Sequence, residues 1–325
     1  MSTTSLYDLP LLGGKRILVT GAASGIGQGA ARAFTQFGAE VFVADLDGDS
    51  EAVAIKGSRD VALFKYDSAG KLAYTHLLGA SDSASGFALA VSSDGKVAVA
   101  GSVEGGLSNA AAGKGGADSF VTLLDSAGAE LWTSRRGATA NDAVSAVAFA
   151  PDGGVIIAGR TESALGPSIA LGGADAYARG LSAAGAELFL RQFGTGGEDS
   201  ATALLVRDDG SGGAEIFTGG VENNRGVLRR FTYASGAGFA AGATRDIGYF
   251  LDGAINALAA DGAALHVGGE IGADRLNLGA AARGAVAGGE GFVARLDADL
   301  TSTALDRASY LGSAQKDSVK SLAIV

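Results

Sequence analysis

A glycine-rich turn is the first place where this chain could do chemistry. Gly21, Gly25 and Gly27 follow the apolar run RILVT (16–20). They precede QGAARAFTQF (28–37), whose Ala30, Ala33, Phe34 and Phe37 recur at helical spacing. Glycines there let the backbone approach a phosphate group, and the helix start offers free N–H groups and a partial positive charge. Gly38 stops the helix, and EVFVAD (40–45) reads as a second strand, so residues 16–45 form a strand–helix–strand pattern. Asp45, Asp47, Asp49 and Glu51 loosely match a calcium loop. Ser50 stands where such a loop needs glycine and Lys56 where it needs glutamate, so the run reads as a solvated acidic loop. His76 and His266 lie in strand-like runs, with no cysteine anywhere and no paired histidine, and read as structural rather than metal-ligating. Arg135-Arg136 and Arg229-Arg230 are candidate anion holders, yet strand alternation sends the two members of each pair to opposite faces.

Composition narrows the function classes. The 325 residues include 53 Gly, 3 Pro, 2 His and no Cys, with a formal net charge of −10. Disulfides and thiolate metal centres are impossible. The acidic balance argues against nucleic acid or an anionic membrane as partner, because phosphate contacts need clustered Lys and Arg. No apolar stretch approaches the roughly 18 residues that span a bilayer, so no membrane insertion is expected. Residues 1–16 lack a basic segment followed by an apolar one, which gives no secretory signal and a cytoplasmic expectation. Aromatic residues make up only 7%, and Gly and Ala replace bulk, which favours thin, closely spaced layers.

The pattern changes near residue 50, and after about residue 58 short β-type runs repeat. Asp94-Gly95, Asp152-Gly153, Asp209-Gly210 and Asp261-Gly262 are spaced 58, 57 and 52 residues apart, and each precedes a β run ending in glycine. Ser-Ala-Gly at 68–70 and 126–128 and Ala-Ala-Gly at 183–185 keep the same phase. Asp-Gly between apolar runs is a strong hairpin signal. Residues 116–161 read as four strands: GADSFVTLLD, LWTSRRG, DAVSAVAFA and VIIAGRT. Trp132 and Phe189 occupy equivalent positions, as blade-to-blade packing requires.

The expected fold is mainly β: a propeller-like array of four-stranded blades, four plus a truncated fifth, behind a short N-terminal β-α-β arm. The expected domains are a partial Rossmann-like segment at 1–57 and a repeat domain at 58–325. Its units lie near 58–115, 116–172, 173–224, 225–288 and 289–325. The fifth unit stops inside its third strand, leaving an edge for self-association or for a donated strand from Val41–Asp45 or 52–57.

GADSFVTLLDSAGAELWTSRRG (116–137) and GADAYARGLSAAGAELFLRQFG (173–194) resemble the Gly/Ala/Asp-rich bacterial β-propeller repeats called SBBP. That resemblance covers about 58–325 and implies a non-catalytic binding or assembly module. Such repeats occur in exported, surface and flagellum-associated proteins. Residues 12–51 resemble the start of a short-chain dehydrogenase/reductase, whose T-G-x-x-x-G-x-G motif is met by Thr20, Gly21, Gly25 and Gly27. The resemblance implies a dinucleotide site made of Thr20, Gly21, Ser24, Gly25, Ile26 and Gly27. Asp45 would accept hydrogen bonds from a ribose 2′-hydroxyl, which selects NAD over NADP. The family's Tyr-x-x-x-Lys pair is missing: Tyr66 is followed four places on by Gly70, with Lys71 one place further, and no other tyrosine has Lys at +4. The fragment therefore reads as a relic without catalytic residues, and an NAD-dependent oxidoreductase is the alternative function. No cofactor is expected, NAD being the one implied if the motif works. The partner is expected to be protein. The abrupt join near 50–58 also matches a hybrid of two unrelated genes.

Overall fold

The computed structural model describes residues 58–325 except 59, 68, 70, 108, 109, 111, 167, 168, 236, 273–275, 279–288, 313, 314 and 325. Before residue 58 it describes 12, 16–20, 30, 31, 33–35 and 37–45. Among these, twenty strands form five four-stranded sheets, and helix is confined to residues 30–35. The chain divides into two compact units, 1–136 and 137–325.

The first unit holds two sheets. In the first, β1 (Arg16–Thr20) runs parallel to β2 (Glu40–Asp45), as the strand–helix–strand reading requires. The helical residues end in a left-handed Gly38 with φ +89. Gly38 N–H donates to Thr35 O and Ala39 N–H to Phe34 O, the paired bonds of a glycine-terminated helix. β2 then pairs antiparallel with β3 (Val61–Tyr66), and β3 with β4 (Leu72–Leu78). Strands from both sides of the 57/58 junction thus share one sheet, around a small core of Ala31, Ala39, Val41, Ala62 and Phe64. Val41–Asp45 does act as an added strand, but it joins the first repeat and not the last. Residues 52–57 lie outside the described residues.

The second sheet contains β5 (Ser83–Val91), β6 (Val97–Glu104), β7 (Asp118–Leu124) and β8 (Glu130–Arg136). In the second unit, β9 (Asp142–Phe149), β10 (Val155–Thr161), β11 (Asp175–Leu181) and β12 (Glu187–Phe193) form the third sheet. The fourth contains β13 (Asp199–Asp208), β14 (Ala214–Glu222), β15 (Arg225–Ala234) and β16 (Gly238–Tyr249). The fifth contains β17 (Ala254–Asp261), β18 (Ala264–Ile271), β19 (Glu290–Asp297) and β20 (Arg307–Leu311). Each of these four sheets is an antiparallel meander in chain order.

Two expectations need correction. The sheets are offset from the sequence units by two strands: each takes the last two strands of one unit and the first two of the next. The expected truncated last sheet is also wrong, because β17–β20 is complete. The half-repeat lies instead at the start, where β3 and β4 are completed by β1 and β2.

Burial explains the repeat's texture. The third strands DSFVTLL (β7) and DAYARGL (β11) are buried at every position, and the second strand VIIAGRT (β10) nearly so. Strands covered on both faces read as continuous apolar or small-residue runs. The fourth strand ELWTSRR (β8) stays partly open and mixed. The four Asp-Gly turns link first to second strands, with Gly95, Gly153, Gly210 and Gly262 all at positive φ. Within the second unit the first strands carry the stacking: β13 packs on β9 and β10, and β17 on β13 and β14. Phe189 stacks on Tyr233 and Phe239, with ring centroids 5.3 and 4.5 Å apart, in line with its expected packing role.

Candidate functional site

The dinucleotide motif is reached first along the chain. Thr20 ends β1 opposite Ala44, and Asp45, the next residue, ends β2, at the carboxyl end of a parallel pair. Open parallel sheets bind nucleotides at that end, at a crevice where the strand order reverses. Here β2 is flanked on its other side by an antiparallel strand, and β1 has no second neighbour among the described residues. A crevice needs that second neighbour. Gly21, Ser24, Gly25, Ile26 and Gly27 lie outside the described residues, and of Thr20 and Asp45 only the backbone is described. Asp47, Asp49 and Glu51 of the acidic run are likewise outside.

Lys65, Tyr74, Tyr310 and Tyr177 are engaged in packing and hydrogen-bond contacts. Lys65 Nζ lies 5.7 Å from the centre of the Tyr74 ring and donates to Ser126 O, a face contact rather than a hydroxyl contact. The Tyr310 hydroxyl accepts the Leu276 N–H at 2.8 Å, and Tyr177 is wholly buried. Among the described residues, no group of three or more His, Asp or Glu could hold a metal ion.

His76 is inward-facing, its Nε2 3.9 Å from Glu130 Oε2. Burial pushes its pKa down, against the opposing charge of Glu130 and a backbone hydrogen bond with Gly128. The unfolded chain therefore takes up a proton that the folded chain resists. Stability is expected to fall as the pH drops below about 6.5 and to be fully present above it. Urea midpoints at pH 7.5 and 5.5 test this: His76→Gln should shrink the acid loss relative to the parent chain, and an equal loss would refute the assignment.

The strongest charge cluster was not legible in the sequence. Arg207 Nε donates to Glu215 Oε2 at 2.6 Å, and Arg230 Nε to Oε1 at 2.8 Å. Burial alone would raise the Glu215 pKa; the two arginines outweigh it and hold the carboxyl below its ordinary range. These residues line a cavity of about 230 Å³ with Asp297 and Asp299. Asp299 is occupied by Thr301 N–H, Ser302 N–H and the Ser302 hydroxyl, which hold its pKa at about 2. The cluster is largely self-neutralising and rivets strands together. Alternation along β15 works as expected: Arg230 takes Glu215, while Arg229 turns to Glu222. The buried half of the other pair is Arg135, bonded to Asp118.

The surface with the clearest recurring design lies between stacked sheets of the second unit. Every first strand of the four meanders carries a one-residue bulge, at Phe87, Ser145, Thr202 and Asn256. In the fourth sheet the bulged Thr202 donates its hydroxyl proton to Ile255 O of β17, at 2.6 Å. In the fifth, Asn256 Nδ2 donates to Val319 O at 3.0 Å and to Ser318 Oγ at 3.1 Å. At these two bulges a polar side chain is aimed at the backbone of the segment packed against it, whereas the matching positions hold Phe87 and Ser145. The sequence signal is weak because the bulged residue changes type each time, from Phe87 to Ser145, Thr202 and Asn256.

No family model matches the chain. A curated relative does: "Regulatory protein FlaEY" of Caulobacter vibrioides, 38% identical over 315 aligned residues, which take in 85% of this chain and 32% of the relative. The chain therefore spans about a third of the length of the relative it matches. A match over 85% of the chain must include most of the repeat region. No described helix is long and apolar enough to cross a membrane.

Proposed function

We propose that this chain is a non-catalytic repeat module of β-propeller type that works in a flagellar system through protein contacts. The observation that carries the reading is the 38% identity to a protein named as flagellar regulatory protein FlaEY. Four successive four-stranded meanders with matching turns and bulges support it, since stacked sheets of this size are what propeller blades are made of. Tyr310 and Tyr74 fit the same reading, one accepting a backbone hydrogen bond and the other packing under Lys65. A second reading, a retained cofactor-binding fragment, draws on the adjacent ends of β1 and β2 at Thr20 and Asp45.

One experiment separates the two. In the bacterium that encodes the chain, in-frame removal of 58–325 is expected to change spreading in soft agar while leaving growth in liquid untouched. Gly25→Asp with Gly27→Asp, which blocks any pyrophosphate approach, is expected to behave like the parent. Calorimetry of the purified chain is expected to give no binding heat at millimolar NAD. Unchanged spreading after the deletion would overturn the flagellar role, and NAD heat abolished by the glycine variant would establish the fragment reading.

A further inference from the structure

One seam of the second unit departs from the repeat. Between the third and fourth sheets, Ala150, Gly212, Gly213, Tyr233 and Ser235 leave a gap of only about 10 Å³. One seam further on, between the fourth and fifth sheets, the matching place opens into the cavity of about 230 Å³. Register makes the two comparable: Asp297 faces Ala264 as Tyr233 faces Ala214, so an aspartate stands where the neighbouring seam has an aromatic ring. The connection that follows is also long. Residues 298–306 join β19 to β20, against 182–186 between β11 and β12. Loops carried on a rigid scaffold are where binding residues concentrate.

The two walls of this cavity carry opposite charges that do not meet. Arg207 and Arg230, on the fourth sheet, both bond Glu215 of their own sheet. Across the gap Arg207 reaches a main-chain oxygen, Gly262 O, at 2.6 Å. On the fifth sheet, Asp297 Oδ2 accepts the Leu305 N–H at 2.8 Å, and Asp299 is held by Thr301 and Ser302 of its own loop. Among the described residues no ion pair joins these arginines to these aspartates, and Asp297 Oδ1 accepts no hydrogen bond. Arg245 of β16 pins the far end of the loop through Asp306 and Ser302 O, so the carboxylates are fixed before any ligand arrives. Ala263 and Asp299 are exposed, which leaves the mouth open to solvent.

We propose that this cavity binds a free α-amino acid, with its carboxylate on the unused N–H groups of Arg207 and Arg230 and its ammonium on Asp297 and Asp299. The choice follows from the two walls. A simple anion would face both aspartates, and a metal ion would face both arginines. A small zwitterion meets each wall with the opposite charge. The site is independent of the flagellar reading.

Saturation-transfer NMR on the full chain, with the protein-forming amino acids added in small groups at millimolar concentration, reads binding. At least one is expected to give a signal. Its deaminated acid and its decarboxylated amine are each expected to bind about tenfold more weakly, and the amino acid itself to lose about as much on Asp297→Asn and on Arg230→Gln. Ala263→Leu adds bulk at an exposed turn and removes no charge. It is expected to abolish the signal while the urea midpoint holds, which keeps the test decisive if Arg230→Gln does not fold. No signal from any amino acid would overturn the proposal. So would an acid or amine that binds as well as the amino acid, since the site would then take a simple ion, or a signal undiminished by Ala263→Leu.

Discussion

Asp118→Ala is expected to destabilise the chain by about 3–5 kcal/mol, the range for stranding one member of a buried ion pair. Arg135 Nε donates to Asp118 Oδ2 at 2.7 Å, and the two side chains are only 2% and 1% exposed. The same carboxylate oxygen accepts the Lys114 N–H, and Arg135 also donates to Gly105 O, so the pair ties the loop before β7 to the sheet. Without the carboxylate, a guanidinium that is shut off from water keeps only neutral partners. The matching stations elsewhere make a natural control. In the third sheet Gln192 donates to Asp175 at 2.6 Å, a neutral version. In the fourth the polarity is reversed, with Arg225 bonded to Asp246 at 2.7 Å, but that pair is 42% and 46% exposed. Asp246→Ala should therefore cost about 0–1 kcal/mol. Urea denaturation checks both: the midpoint should drop strongly for Asp118→Ala and little for Asp246→Ala, with the slope unchanged. Equal drops would mean that burial is not what separates the two pairs.

Gly220→Ala is expected to cost about 3 kcal/mol, the upper end of overpacking, because its Cβ would run into the Ser200 carbonyl and neither backbone can yield without losing the bulge. In thermal unfolding this corresponds to a fall of roughly 6–12 °C for a unit of this size. Gly210→Ala makes the comparison sharp. Gly210 sits at φ +77 in an open turn with nothing near a new Cβ, so only left-handed strain of about 1–2 kcal/mol applies. If the two variants melt together, the crowding at the bulge carries no weight.

These glycines show what the sequence could and could not reveal. Each was visible as the last residue of an apolar run, and the Asp-Gly turns were visible as hairpin turns, because both obey local rules of backbone conformation. The helix stop at Gly38 and the parallel pairing of RILVT with EVFVAD were legible for the same reason. The grouping of strands into sheets was not. In a periodic array, the local pattern is the same wherever the repeat is cut, so it cannot say which connection leaves a sheet. The departures fall just after β8, β12 and β16, beyond Arg136, Phe193 and Tyr249, where no local signal marks the end of a sheet. Thr20 and Asp45 do end two neighbouring strands, a statement about backbone only. The Thr202 and Asn256 clasps were missed because they are conserved in direction, by the bulge, rather than in residue type.

The two-strand offset between repeat and sheet has a mechanical consequence. Each sheet is laced from two successive repeats, like bricks laid in running bond. No repeat can peel away without tearing hairpins out of two sheets at once. Conversely, splicing one whole repeat out or in leaves every remaining seam matched, so an array of this kind can change length without passing through a broken intermediate.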